Sequence, residues 1–151
     1  MKPVLALIAA LPLAVATTVP AIAADPAPAA PGSGIPAGAP LRSTVQAGNT
    51  LYVSGALDID PTTQKPGTTP EESARLALNA VKRNVEAAGF TMDDLVWVQV
   101  FCSDLSYFDS FNTVYRTYFK GPMPARAFLG VDHLLRGGHF EIMGIAVKGH
   151  K

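Results

Sequence analysis

Residues 96–102 read Val-Trp-Val-Gln-Val-Phe-Cys, VWVQVFC. The run reads as a strand, and its parity puts Val96, Val98 and Val100 on one face and Trp97 and Phe101 on the other. A strand with one face in water alternates apolar with polar residues; this one is apolar on both. Whatever the fold, VWVQVFC needs cover from two sides.

Working outward, the first cover lies upstream. Thr69-Pro70-Glu71-Glu72 has the form of a capping box with proline at the first helical position. Apolar residues then recur at Ala74, Ala77, Leu78, Val81, Val85 and Ala88, one face of a helix, and Gly89 stops it. Downstream, Tyr107, Phe111, Tyr115 and Tyr118 recur at helical spacing over about Tyr107 to Phe119, and Gly121-Pro122 ends that helix. Such an aromatic stripe reads as core. The next strand begins in PARAFLGV, residues 124–131, and the last runs from Phe140 to Val147. At the other end, Ser43 to Ala47 and Thr50 to Ser54 flank Gly48-Asn49, the signature of a tight hairpin. Asp58 to Thr69, with its prolines and threonines, reads as an irregular loop.

The order is ββαβαββ, an α+β chain with two helices. Two helices cover one face of such a sheet. The second face of VWVQVFC then has no element of this chain to meet it, and the pattern predicts association with other copies.

The 151 residues suit one domain, with 48% hydrophobic and 16% charged residues. Lysine plus arginine equals aspartate plus glutamate at 12 each, so nothing suggests an electrostatic grip on nucleic acid or anionic lipid. A small ligand or a protein partner is the expectation. Lys2, the apolar stretch Val4 to Val15 and Ala21-Ile22-Ala23 together read as a secretory signal peptide over residues 1–23. Pro12, Pro20 and its short length weigh against a membrane anchor. Residues 24–40, mostly Ala, Pro and Gly, read as a flexible linker, leaving 41–151 as the folded domain. The expected location is outside the cytoplasm, in the periplasm, with no membrane contact after the leader is removed. Cys102 is the single cysteine and reads as a buried, inert thiol.

Few residues are left to carry chemistry. The chain has no G-x-G-x-x-G, no P-loop and no C-x-x-C, and Ser54 lacks the G-x-S-x-G context of a nucleophile. His133, His139 and His150 form no helical ligand pair and read as solvated or rim residues, so no metal is expected. Arg126 and Glu141 stand out because each interrupts an apolar strand. They could pair with each other or point outward from their strands. Alternatively, Arg126 holds a ligand carboxylate in its planar fork while Glu141 manages a proton or a water molecule.

Several stretches resemble the RidA (YjgF) family of enamine and imine deaminases. They are Leu51 to Gly55, Asp60-Pro61-Thr62, Ala87 to Leu95, Phe111 to Tyr115, Pro124-Ala125-Arg126, and Glu141-Ile142 with Ile145-Ala146-Val147. The resemblance runs from about Pro40 to Val147. It implies a chorismate-mutase-like mixed sheet with both helices on one face, and a homotrimeric barrel with clefts between subunits. It also implies hydrolysis of 2-aminoacrylate-type imines and enamines to 2-keto acids and ammonia, with neither metal nor organic cofactor. By position, Arg126 matches the family's carboxylate clamp and Glu141 the glutamate that places the attacking water. Gly55 and Phe128 match positions whose backbone lines the pocket, and Ser54 and Asn112 fall at cleft positions. Leu41 stands where deaminating members carry a tyrosine. A non-catalytic trimer that binds small carboxylates, or acts as a stress-linked holdase, is the alternative.

Overall fold

The computed structural model of the chain describes residues 40–150. The expected signal peptide and all but the last residue of the expected linker lie outside the described residues. Strands β1 (Thr44–Ala47) and β2 (Thr50–Leu57) form the hairpin, with Gly48 at φ +60° taking the turn. Helix α1 spans Pro70–Ala87, β3 Leu95–Cys102, α2 Phe108–Tyr115, β4 Ala125–Gly130 and β5 Phe140–Val147. The ββαβαββ order is as the sequence predicts.

Local chemistry sets these limits. Thr69 caps α1 by accepting from the Glu72 amide at 3.2 Å, and Gly89 leaves the helix at φ +77°. The box is displaced by one residue: Glu72 reaches back to the amide and hydroxyl of Thr68, at 2.8 and 2.6 Å, rather than to Thr69. The second helix is shorter than its aromatic stripe implies. Single 3-10 turns at Leu105–Tyr107 and Arg116–Tyr118 flank a central α-helix of eight residues.

The sheet order is β1-β2-β5-β3-β4. All pairs are antiparallel except β3 with β4, which run parallel and are joined by the α2 crossover. Both helices pack on one face. Ala74, Ala77, Leu78, Val81 and Val85 of α1 are buried there, as are Val98 and Val100 of β3 and Ile142 of β5. Phe111 of α2 lies 4.9 Å from Phe140 and 5.3 Å from Phe128, ring centre to ring centre. Each fully buried Val, Leu or Phe contributes about 1.5–3 kcal/mol, so this layer holds the domain together. Cys102 closes it, fully buried, with its thiol donating to the Asp104 carbonyl at 3.0 Å; burial pushes the thiol pKa up, as an inert cysteine requires.

The other face is open. Register aligns Val45, Tyr52, Ile145, Trp97 and Ala125 in one row across all five strands. Tyr52 is 51% exposed and Trp97 37%.

A polar knot lies under the loop after β2. Asp58 is fully buried and accepts from the His139 amide through both carboxylate oxygens, at 3.0 and 3.1 Å. The His139 ring meets Asp58 Oδ2 at 3.2 Å and the buried Ser73 hydroxyl at 3.0 Å, both through Nδ1. This corrects the reading of His139 as a solvated or rim residue: it is half-buried and ties β5 to the end of β2 and to α1.

Candidate functional site

Arg126 sits on β4, the strand at one edge of the sheet, opposite Val98 of β3. Its side chain therefore lies on the helix-covered face. The guanidinium carbon is 4.6 Å from the centre of the Tyr115 ring, and 5.7, 5.8 and 5.9 Å from those of Phe128, Phe111 and Phe108. These distances fall within cation–π range. One Nη donates to Asn112 Oδ1 at 2.8 Å. Among the described residues no carboxylate lies within ion-pair distance of Arg126. Burial, the largest cause, draws its pKa down; the nearby Tyr115 acts the other way. The group is a half-buried cation aimed by aromatic walls and one amide, with no anion of its own.

Glu141 lies opposite Phe101, on the open face. Since Arg126 shares its face with Val98 and Val100, one chain cannot bring the two side chains together. This excludes a structural ion pair between them within the chain, one of the arrangements the sequence leaves open. Glu141 folds back over Gly55 instead. A Cβ on Gly55 would stand 2.9 Å from the Glu141 carboxyl carbon, so any other residue there would push the carboxylate out of this position. The approach is made possible by an irregularity in the β2–β5 register between Val53 and Ala56. Burial raises the pKa of Glu141 above the ordinary 4.5.

The remaining sequence candidates divide between these two halves. Gly55 and Ser54 accompany Glu141; the Ser54 hydroxyl donates to the Arg42 carbonyl at 2.6 Å, which fixes the segment carrying Leu41. Phe128 and Asn112 accompany Arg126. Asn112 spends its carbonyl oxygen on the guanidinium, so in this chain it positions the arginine. Sequence reasoning missed one member of this group. Tyr115, assigned to the core by its spacing, also forms the nearest wall of the arginine. Its buried hydroxyl has no hydrogen-bond partner among the described residues, and burial pushes its pKa up to about 12. No cluster of three or more His, Cys, Asp or Glu placed to hold a metal occurs among the described residues.

A family model described as endoribonuclease L-PSP matches residues 32–148. The chain is 38% identical to mouse 2-iminobutanoate/2-iminopropanoate deaminase over 112 residues, 73% of this chain and 82% of that protein. It is 40% identical to a RutC family protein of Sulfurisphaera tokodaii, also over 112 residues, 73% of this chain and 89% of that one. Among solved structures, the YjgF gene product of E. coli superimposes with a TM-score of 0.73 at 32% identity, covering 81% of this chain and 99% of that one. E. coli TdcF with bound serine gives 0.74 at 30% identity, covering 82% and 100%. The family match spans the sheet, both helices and the positions of Arg126 and Glu141, and the chain belongs to the RidA/YjgF family.

Proposed function

We propose that this protein hydrolyses small 2-imino and 2-enamino acids to 2-keto acids and ammonia, at a site that two copies of the chain complete together. The observation that carries the reading is the separation of Arg126 from Glu141. Each is half-buried and without a charged partner among the described residues, and they lie on opposite faces of one sheet. A homotrimer with clefts between subunits gives each arginine a neighbouring glutamate and covers the open face as well. The deaminase names of the mouse and bovine relatives support the reaction class.

The chemistry asks little of the protein. The Arg126 fork takes the substrate carboxylate in two parallel hydrogen bonds, which fixes the position of the C=N carbon. Glu141 of the partner subunit accepts a proton from water as the oxygen adds to that carbon, then returns the proton to nitrogen. The hydroxyl proton of the tetrahedral amino alcohol then passes to nitrogen by way of Glu141, the C–N bond breaks, ammonia leaves and the oxygen becomes the ketone. For an enamine, protonation at carbon comes first, and a carboxyl with a raised pKa suits that step. No step calls for a metal or organic cofactor. RNA cleavage, suggested by the family description, finds no support in a chain whose basic and acidic residues balance at 12 each.

Leu41, 55% exposed, favours a second reading. Without the family's phenol there, the cleft could hold small carboxylates without turning them over.

An imine generated by an amino-acid oxidase and trapped with semicarbazide separates the readings. Active protein lowers the semicarbazone yield, while Arg126→Ala and Glu141→Ala do not. Mixing these two variants during assembly should restore roughly a quarter of wild-type activity if each site draws on two subunits. Wild type as inert as both variants would end the enzyme reading; inert wild type that binds 2-ketobutyrate would establish the binding module. The leader read over residues 1–23 would place this chemistry outside the cytoplasm. An amino terminus at Ala24 in a periplasmic extract is the expected result, and an intact Met1 the contrary one.

A further inference from the structure

A cavity of about 330 Å³ opens beside β2 on the side that carries α1. Arg83 and Asn84 of α1, Gln64 of the loop after β2, and Arg136 of the turn before β5 are polar walls, with Ser43 and Ser54 at the β2 side. Leu57, Ile59 and Ala80 add an apolar surface. Arg126, Glu141 and Phe128 are not among its walls.

Three observations make this cavity more than a surface dimple. First, two arginines and, among the described residues, no acidic residue line it. The neighbouring acids are committed elsewhere. Asp58 is turned to His139, and Asp60 Oδ1 accepts from the amides of Thr62 and Thr63 at 2.8 and 2.7 Å. Second, neither Arg83 nor Arg136 has an ion-pair partner among the described residues. Third, the only two non-glycine residues with positive φ among the described residues are Gln64 (60°) and Arg136 (61°). They meet at this cavity, where Arg136 Nη donates to Gln64 Oε1 at 2.8 Å. Left-handed backbone is unfavourable for such side chains and persists where the surroundings over-determine it, commonly at ligand clamps.

We infer that this cavity binds a small organic anion, a carboxylate or a phosphate monoester on a short apolar body. The oxygens lie between Arg83 and Arg136, whose planar forks match both kinds of oxyanion. The body rests against Ile59, Leu57 and Ala80. Gln64 holds Arg136 in place without neutralising it. The site is separate from the one proposed for deamination, though Ser54 and Gly55 of the β2 irregularity border both.

Calorimetric titration of the full-length Arg126→Ala protein tests this, because that background silences the carboxylate clamp of the proposed deaminase site. Butyrate and propyl phosphate serve as probes, and the tighter binder identifies the anion class. Saturable binding of one probe per chain is expected, weakened about ten-fold or more by Arg83→Ala and by Arg136→Gly. Glycine suits the positive φ at 136, so a loss there reports the missing guanidinium rather than a misfolded turn. Failure of both probes to saturate, or affinities unchanged in the two variants, would overturn the assignment. Binding seen in wild type but lost in Arg126→Ala would also overturn it, by placing the anion at the other site.

Discussion

Asn112 contributes to the candidate site through another residue. Its carbonyl oxygen sets the direction of the Arg126 fork and leaves the charge untouched. Asn112→Ala should therefore raise KM for an imino acid by about ten-fold while kcat stays within about three-fold, as loss of one charge-assisted hydrogen bond in a binding role implies. A matching fall in kcat, measured by steady-state kinetics, would move Asn112 into proton handling. Glu141 makes a prediction of a different kind. Burial raises its folded-state pKa above 4.5, so the fold prefers the neutral carboxyl. Its contribution to stability is most favourable in acid and declines as pH rises through 4.5 towards the folded value. Glu141→Gln should raise the thermal midpoint at about pH 7, with the gain vanishing at acid pH. A variant less stable than wild type at neutral pH would contradict a desolvated carboxylate. Both charged residues were visible in the sequence because each breaks an apolar run. Their placement on opposite faces was not, since parity within a strand says nothing about which face the helices cover.

At the level of the elements, the Asp58–His139–Ser73 knot is the part the sequence conceals best. Asp58 and His139 are 81 positions apart, and neither sits in a pattern that announces burial. The alternation Leu57-Asp58-Ile59-Asp60 even misleads, since it puts both acids on one side and the apolar pair on the other, as if the acids faced water. Asp58→Ala should cost about 2–4 kcal/mol, since it leaves the His139 amide and ring without their acceptor in a buried place. Asp58→Asn should cost less, because it keeps one acceptor oxygen. Urea unfolding of the three proteins checks the order; an Ala variant within about 0.5 kcal/mol of wild type would show that water replaces the carboxylate. By contrast, α1 was legible almost to the residue, because Thr69, Pro70 and Gly89 are local signals that act on the nearest turn. The parallel pairing of β3 with β4 is a long-range choice, made by the α2 crossover and by the seating of Phe128 on Phe111.

For the whole molecule, VWVQVFC foretold the decisive property, a sheet apolar on both sides. The structure supplies the row from Val45 to Ala125 through Tyr52, Ile145 and Trp97, on the face that no described element covers; Ile145 is half-buried and the other four are exposed. Apolar patches of this kind mark contact surfaces. Trp97→Glu, on the fourth strand of that row, should weaken self-association by about two orders of magnitude or more, with the circular dichroism of the subunit unchanged. Light scattering at micromolar concentration gives the answer, and a wild type that is already monomeric there would refute the covered face. One further property follows from the sealed sulfur at Cys102, the end residue of the same strand. A chromogenic thiol reagent finds nothing to react with while β3 stays in place, so the rate at which colour develops becomes a clock for the opening of the domain's centre. That clock is already written into the natural chain, and it reads the lifetime of the packed interior in any of these variants without a label being added.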